Sequence, residues 1–263
     1  MLSQMPRTIN SLYHSVLLRA KIYFKLILSR IDKKQDNKKI MINLGGGYFF
    51  KRHWKVLDHP TKWYTYKPKA IDIDFDLTSK KPLPFKDNSV YLYYSAHVFE
   101  HIPDEFCQDI LNEIYRTLKK GGAIRIMLPD FDKAHIQFKK RNDKFFKTNM
   151  LLGKSIEERF LSYFATYLIG KISNKKLIND FNKMSKEKFA DKYTSTIPRE
   201  SQKISGGNHI NWWNFNKFDK RLKRAGFSKI YTSDKGKSKY AEMREHDFDK
   251  DYPEYCLFIE AIK

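Results

Sequence analysis

Cysteine is scarce in this chain: Cys107 and Cys256 are its only two in 263 residues. They form neither a CxxC pair nor a metal-type cluster, and they are too few for the disulfide framework of a small secreted fold. Both read as core thiols of a reducing compartment. A long apolar run is also missing. The stretch from Leu12 to Ile31 has a helical pattern, but Arg19, Lys21, Lys25 and Arg30 interrupt it, short of the roughly 20 apolar residues a spanning helix needs. With no secretion signal evident, the expected location is cytoplasmic. No dense carboxylate cluster argues for a hard divalent cation, and no metal is expected. Acidic residues are in deficit, 30 against 51 Lys and Arg, for a net charge of +21. Such a charge favours nucleic acid when it is clustered. Here it is spread along the chain without a recognition motif, so a nucleic-acid role is the subordinate reading.

Hydrophobic residues make up 41% of the chain and aromatics 15%, enough for a packed interior. The length suits one α/β domain carrying an insertion. Residues 1–36 read as a basic amphipathic helical segment, expected to pack on its own domain or a partner subunit, with peripheral membrane contact as the alternative. The domain proper spans 37–263. Ile40 to Leu44 is a continuous apolar run, the pattern of a strand buried on both faces. Lys55 to Leu57, ending at Asp58, and Ser89 to Tyr94 read as further strands. Phe106, Ile110, Ile114 and Leu118 recur at helical spacing between Pro103 and Lys120, with Asp104 and Glu105 in the first turn. Ala123 to Leu128 follows as a strand, so strand and helix alternate from 40 to 131. A doubly wound, Rossmann-like sheet is implied, with ligands beyond the carboxyl ends of its strands. Residues 132–205 break the rhythm as a helical insertion or cap. A helix over Asn214 to Ala225 and strands over Ser228 to Thr232 and Tyr255 to Ile262 complete the fold, the last strand antiparallel.

Asn43, Leu44, Gly45, Gly46 and Gly47 leave the first strand for an expected turn and helix, where glycine lets backbone approach a ligand. Phe50 stands where the dinucleotide fingerprint needs a third glycine, which disfavours a nicotinamide oxidoreductase. From Lys39 to Phe131 the chain resembles the cofactor half of class I S-adenosylmethionine-dependent methyltransferases, in particular the bacterial methyltransferase-11-like group. The resemblance is collinear. It runs through Asn43 to Gly47, then Lys55 to Asp58, then Asp76-Leu77 with Pro82 to Phe85. It continues through Ser95 to Ile102 and through Leu118 to Gly122 with Leu128-Pro129-Asp130. The sequence departs from that pattern at Asn43, where the family has an acid, and at Phe49, where it has glycine.

The resemblance implies S-adenosylmethionine as cofactor and S-adenosylhomocysteine as product. It would place Asn43, Gly45, Gly46 and Gly47 beside the methionine half of the donor, Asp58 on the ribose hydroxyls, and Asp76 with Leu77 on the adenine. Ser95 and Ala96 would offer main-chain carbonyls to the ammonium, and His101 falls in the same signature. A hydroxyl acceptor needs its proton removed as the new bond forms, and His97 and His209 are the candidate bases. Against these stand plainer readings: strand-end aspartates, loop-fixing roles for Glu100 and His101, and packing for Trp212 and Trp213. The expected function is O-methylation of a small molecule, or of a sugar or nucleotide-linked intermediate of anionic character, in surface polysaccharide (capsule) or secondary-metabolite biosynthesis. The alternatives are a catalytically impaired protein that binds RNA or a partner, and an RNA methyltransferase.

Overall fold

The computed structural model describes residues 39–46, 49, 51–60, 71–147, 153–246, 248–249 and 254–263. The amphipathic segment 1–36 and Gly47 lie outside the described residues. Strand β1 (Ile40–Leu44) pairs in parallel with β2 (Trp54–Asp58) on one side and β4 (Val90–Ala96) on the other. That central position explains why its sequence is apolar throughout apart from Asn43. A two-residue β3 (Ile73–Asp74) adds to β2, and β5 (Leu118–Pro129) adds to β4. With β6 (Lys229–Thr232) and β7 (Cys256–Ile262), the sheet has the order β3-β2-β1-β4-β5-β7-β6. β7 runs antiparallel to both of its neighbours. The order reverses between β1 and β4, and in open α/β sheets that crevice is where ligands sit.

One face of the sheet is covered by α1 (Asp104–Thr117) and α8 (Phe215–Ala225). The spacing that predicts α1 is the spacing it buries: Cys107, Ile110, Leu111 and Ile114 face the sheet. The Asn214 side chain caps α8 by accepting from the Lys217 N–H, and Gly226 ends it in a left-handed conformation, φ +112°. The other face packs Met41, Trp54, Leu92 and Tyr94 against Met243 and Phe248 from a long loop between β6 and β7.

Among the described residues of the insertion are six short α-helices: α2 (Phe131–Lys139), α3 (Asp143–Phe146), α4 (Ile156–Leu161), α5 (Asn174–Lys183), α6 (Lys186–Ser195) and α7 (Glu200–Ile204). Each of the first five begins at a residue whose side chain accepts from the first turn: Asp130, Asn142, Ser155, Ser173 and Ser185. They enclose an aromatic core of their own, built on Phe131, Phe138, Phe146, Phe160, Phe164 and Phe189.

Three features differ from the sequence reading. No helix follows the glycine cluster among the described residues of 45–53. Instead Phe49 turns back, its N–H bonding the Gly46 carbonyl at 2.8 Å, and its ring stacks on Tyr94 at 5.7 Å. The sheet also starts β5 at Leu118, which pairs with Val90, so Leu118 to Lys120, expected at the end of the helix, are strand. Finally, β3 is held by only two register pairs, Leu57 with Ile73 and Asp58 with Asp74, too short for any periodicity to reveal. No helix among the described residues is long and apolar enough to cross a membrane.

Candidate functional site

The candidate site lies where β1, β2 and β4 end. Gly45 has φ +73°, and a Cβ there would come within 2.4 Å of Val98 Cγ2; at Gly46 it would come within 2.5 Å of Val56 Cγ1. The two glycines therefore let the loop lie flush against the ends of the neighbouring strands. Asp58 fixes the loop from below. Its Oδ2 accepts the Gly46 N–H at 2.7 Å, and its Oδ1 accepts the His59 N–H at 2.8 Å. Because Gly45→Ala combines a left-handed backbone with an overlap on Val98, we expect it to cost about 1–3 kcal/mol. Urea unfolding with an unchanged m-value checks this.

Two buried acceptors at this edge have no partner: Asn43 Oδ1 and Ser95 Oγ. The Asn43 Nδ2 is spent on the Gly45 carbonyl at 3.0 Å, which leaves Oδ1 as an acceptor beside the loop. An orphaned buried acceptor is costly unless a ligand supplies the donor, and an ammonium or hydroxyl fits that need. By register Asn43 lies opposite Tyr94 and Ser95 opposite Leu44, so the two side chains leave the sheet on opposite faces. Ala96 pairs with Met127 at the end of β4. Asp76 uses one oxygen to accept both the Thr78 N–H and the Thr78 hydroxyl at 2.7 Å, an Asx-type turn that shapes its loop. Leu77 lines a cleft of about 330 Å³ between this loop and α1, together with Phe75, Leu83, Phe106 and Ile110.

Just beyond β4 the chain turns sharply at His97, φ +54°. The turn places the His97 Nδ1 2.9 Å from Glu100 Oε1, and its Nε2 3.9 Å from the Cys256 Sγ. Burial alone would depress the His97 pKa, but the contacts with Cys256 and Glu100 raise it well above the usual imidazole value. Glu100 is 1% exposed. Burial works to raise its pKa, yet the His97 hydrogen bond and charge bring it down to about 2.

The segment entering α8 closes over this turn. Ile210 and Asn211 both donate backbone N–H groups to the Glu100 carbonyl, at 2.8 and 3.2 Å, and Trp213 Nε1 donates to the Phe99 carbonyl at 3.0 Å. On its other side the segment is tied to the insertion. The Thr166 N–H donates to the His209 carbonyl, and the His209 N–H to the Thr166 hydroxyl. His209 is thereby carried to His101, with ring centroids 4.9 Å apart. Burial, then the neighbouring His101, lowers the His209 pKa to about 4, so its ring is neutral.

The structure thus brings His97, Glu100, His101 and His209 together at the end of β4, and Asn43, Gly45, Gly46 and Asp58 together at the ends of β1 and β2. Asp76 and Leu77 sit apart on the loop after β3. Sequence reasoning did not find the Cys256 contact, because 159 residues separate it from His97 and its strand gives no sign of which residue it will face. The His97–Glu100 contact did leave a signal in the i, i+3 spacing of His-x-x-Glu.

Residues 59–126 match the family model described as a methyltransferase domain. No curated protein matches the sequence. Among solved structures, the chain is similar to a possible histamine N-methyltransferase of Thermotoga maritima (14% identity, 98% of this chain and 97% of that one, TM-score 0.41). It is also similar to an S-adenosylmethionine-dependent methyltransferase of Mesorhizobium loti (15%, 85% and 90%, TM-score 0.43). A third is human N-acetylserotonin methyltransferase in complex with S-adenosylmethionine (17%, 98% of this chain, TM-score 0.39). The chain spans 60% of that human protein.

Proposed function

We propose, from the match of residues 59–126 to a methyltransferase-domain model, that this chain is a class I S-adenosylmethionine-dependent methyltransferase and that it methylates a hydroxyl oxygen of a small polar acceptor bound between the carboxyl edge of the sheet and the helical insertion. The observation that carries this reading is the His97–Glu100 pair at the end of β4. A buried carboxylate on one ring nitrogen orients the imidazole and stabilises its cation, so His97 takes the hydroxyl proton from the neutral fraction of its ring, and turnover should rise with pH through its raised pKa. A hydroxyl needs that help, whereas a neutral amine already presents a free electron pair.

The residues present fit the donor. Asp58, locked by two backbone N–H groups, is an acceptor-only group suited to paired hydroxyls. The orphaned Asn43 Oδ1 suits an ammonium, which has three donors to place. Bound there, S-adenosylmethionine supplies an electrophilic methyl group on a sulfonium. The chain's own contribution is alignment of the acceptor oxygen, exclusion of water under the insertion, and removal of the proton at the His97 Nε2. Asp76 and Leu77 would border the adenine end. The acceptor class we favour is a sugar hydroxyl, free or nucleotide-linked, of the kind used in surface polysaccharide or secondary-metabolite assembly. The net charge of +21 would draw an anionic acceptor of this kind to the protein.

The test is methyl transfer from isotopically labelled donor to a panel of sugars, nucleotide-linked sugars, amines and RNA, read by mass spectrometry. O-methylated sugar from the parent chain is expected. His97→Asn keeps a residue that tolerates positive φ, and it should lower kcat by about 10²–10⁴ with donor affinity unchanged. Transfer confined to amines or RNA, or full activity in the variant, would overturn the reading.

A further inference from the structure

A second feature of the β4 turn is left unexplained by proton removal. Glu100 Oε2 is buried with no hydrogen-bond partner, and so is His209 Nδ1. One ligand atom from each of Glu100, His101 and His209 lies within 4.8 Å of the other two. The His101 Nδ1 sits 3.0 Å from the Asn208 carbonyl, which can only accept, so this nitrogen carries the ring proton and Nε2 carries the lone pair. A carboxylate oxygen and two imidazole nitrogens thus share one small space. With both imidazoles neutral, the electron pairs that share this space repel, and burial removes the water that would otherwise separate them. A cation at their centre satisfies all three.

We propose that Glu100, His101 and His209 form a binding site for a divalent transition-metal ion, Zn²⁺ being the best match to two imidazoles and one carboxylate with a fourth position open. The surroundings have the form that metal ligands require. Ligating histidines donate their remaining N–H to a carbonyl or carboxylate, and ligating carboxylates are themselves hydrogen-bonded. Here Asn208 holds His101, the Ser162 backbone holds His209, and His97 holds the second oxygen of Glu100. The ligand atoms lie within 4.8 Å of one another, and bonds of about 2.0–2.1 Å to a shared ion would draw them to about 3.3 Å. Sequence reading missed the site because it sought clustered carboxylates, whereas two of the three ligands are histidines and His209 arrives from 108 positions after His101. The binding site itself does not depend on the methyl-transfer reading.

The experiment uses the untagged full chain, stripped with a chelator and titrated with Zn²⁺ against a chromophoric competitor, then with Co²⁺ for its visible spectrum. One equivalent of tight binding and an intense four-coordinate Co²⁺ spectrum are expected. Glu100→Gln, which preserves shape, and His209→Ala should each weaken Zn²⁺ at least about 100-fold. Circular dichroism confirms that the variants fold. If either variant does not fold, the Co²⁺ spectrum of the parent decides alone. Absence of binding, a weak six-coordinate spectrum, or folded variants that bind like the parent would overturn the proposal. None of these outcomes depends on methyl transfer, so the metal site and the proposed function can fail separately.

Discussion

Arg125→Met is expected to destabilise the protein by about 3–5 kcal/mol, the cost of leaving buried charge uncompensated. Arg125 lies in the middle of β5 and is fully buried. Its guanidinium bonds Asp249 at 2.6 Å and Glu260 at 2.9 Å, and it donates to the Asp234 carbonyl at 2.7 Å. Tyr231 donates its hydroxyl to Glu260, and Tyr94 accepts the Asp249 N–H at 2.8 Å. The arginine therefore ties the β6–β7 loop to the sheet, and Phe248 on that loop is what covers Trp54, Tyr94 and Phe49. Methionine fills the stem but strands two buried carboxylates, so the loss is electrostatic rather than volumetric. The triple variant Arg125→Met, Asp249→Asn, Glu260→Gln should recover much of it, because it removes the charges together. Urea midpoints for the two variants provide the check. Equal losses in both would mean that the network's worth lies in packing and hydrogen bonds instead.

The same network shows what was legible in the sequence and what was not. β1, β4 and α1 were readable because their burial follows a local rule: a run covered on both faces, or a stripe recurring every three to four residues. The α8 stop was readable for another local reason, the glycine at 226, whereas the direction of the last strand is set by its pairing with β5 and β6 and leaves no mark in its own periodicity. Arg125 was not, since an arginine inside an apolar strand has no periodic signature and its partners come from 124 and 135 positions onward. Phe49 is a comparable case. It looks like a departure from a glycine-rich pattern, yet its ring is held against Tyr94, Trp54 and Phe248. Among the described residues there, an aromatic contact stands where the sequence led us to expect a helix after the glycine cluster. At the site, each residue of the β4 turn was identifiable singly. Their convergence with His209 was set by the Glu100 carbonyl, which accepts from Ile210 and Asn211, a backbone contact that no side-chain pattern encodes.

Asp58→Ala is expected to lower affinity for S-adenosylmethionine and S-adenosylhomocysteine by at least about 100-fold, read by calorimetric titration. Two hydrogen bonds to a charged acceptor contribute about 1.5–3 kcal/mol each, and every 1.4 kcal/mol is tenfold in affinity. Part of the loss would be indirect, because the Asp58 carboxylate also receives the Gly46 and His59 N–H groups and holds the loop proposed to border the donor. Asp58→Asn separates the two contributions. The amide retains one oxygen acceptor, enough to keep one of those N–H groups, but it cannot accept from both hydroxyls of a ribose. A large loss in both variants, with little change in the unfolding midpoint of Asp58→Asn, identifies Asp58 as a direct contact of the donor. A loss confined to Asp58→Ala and accompanied by a lower midpoint would assign Asp58 to loop positioning, leaving the ribose to another acceptor at the sheet's carboxyl edge.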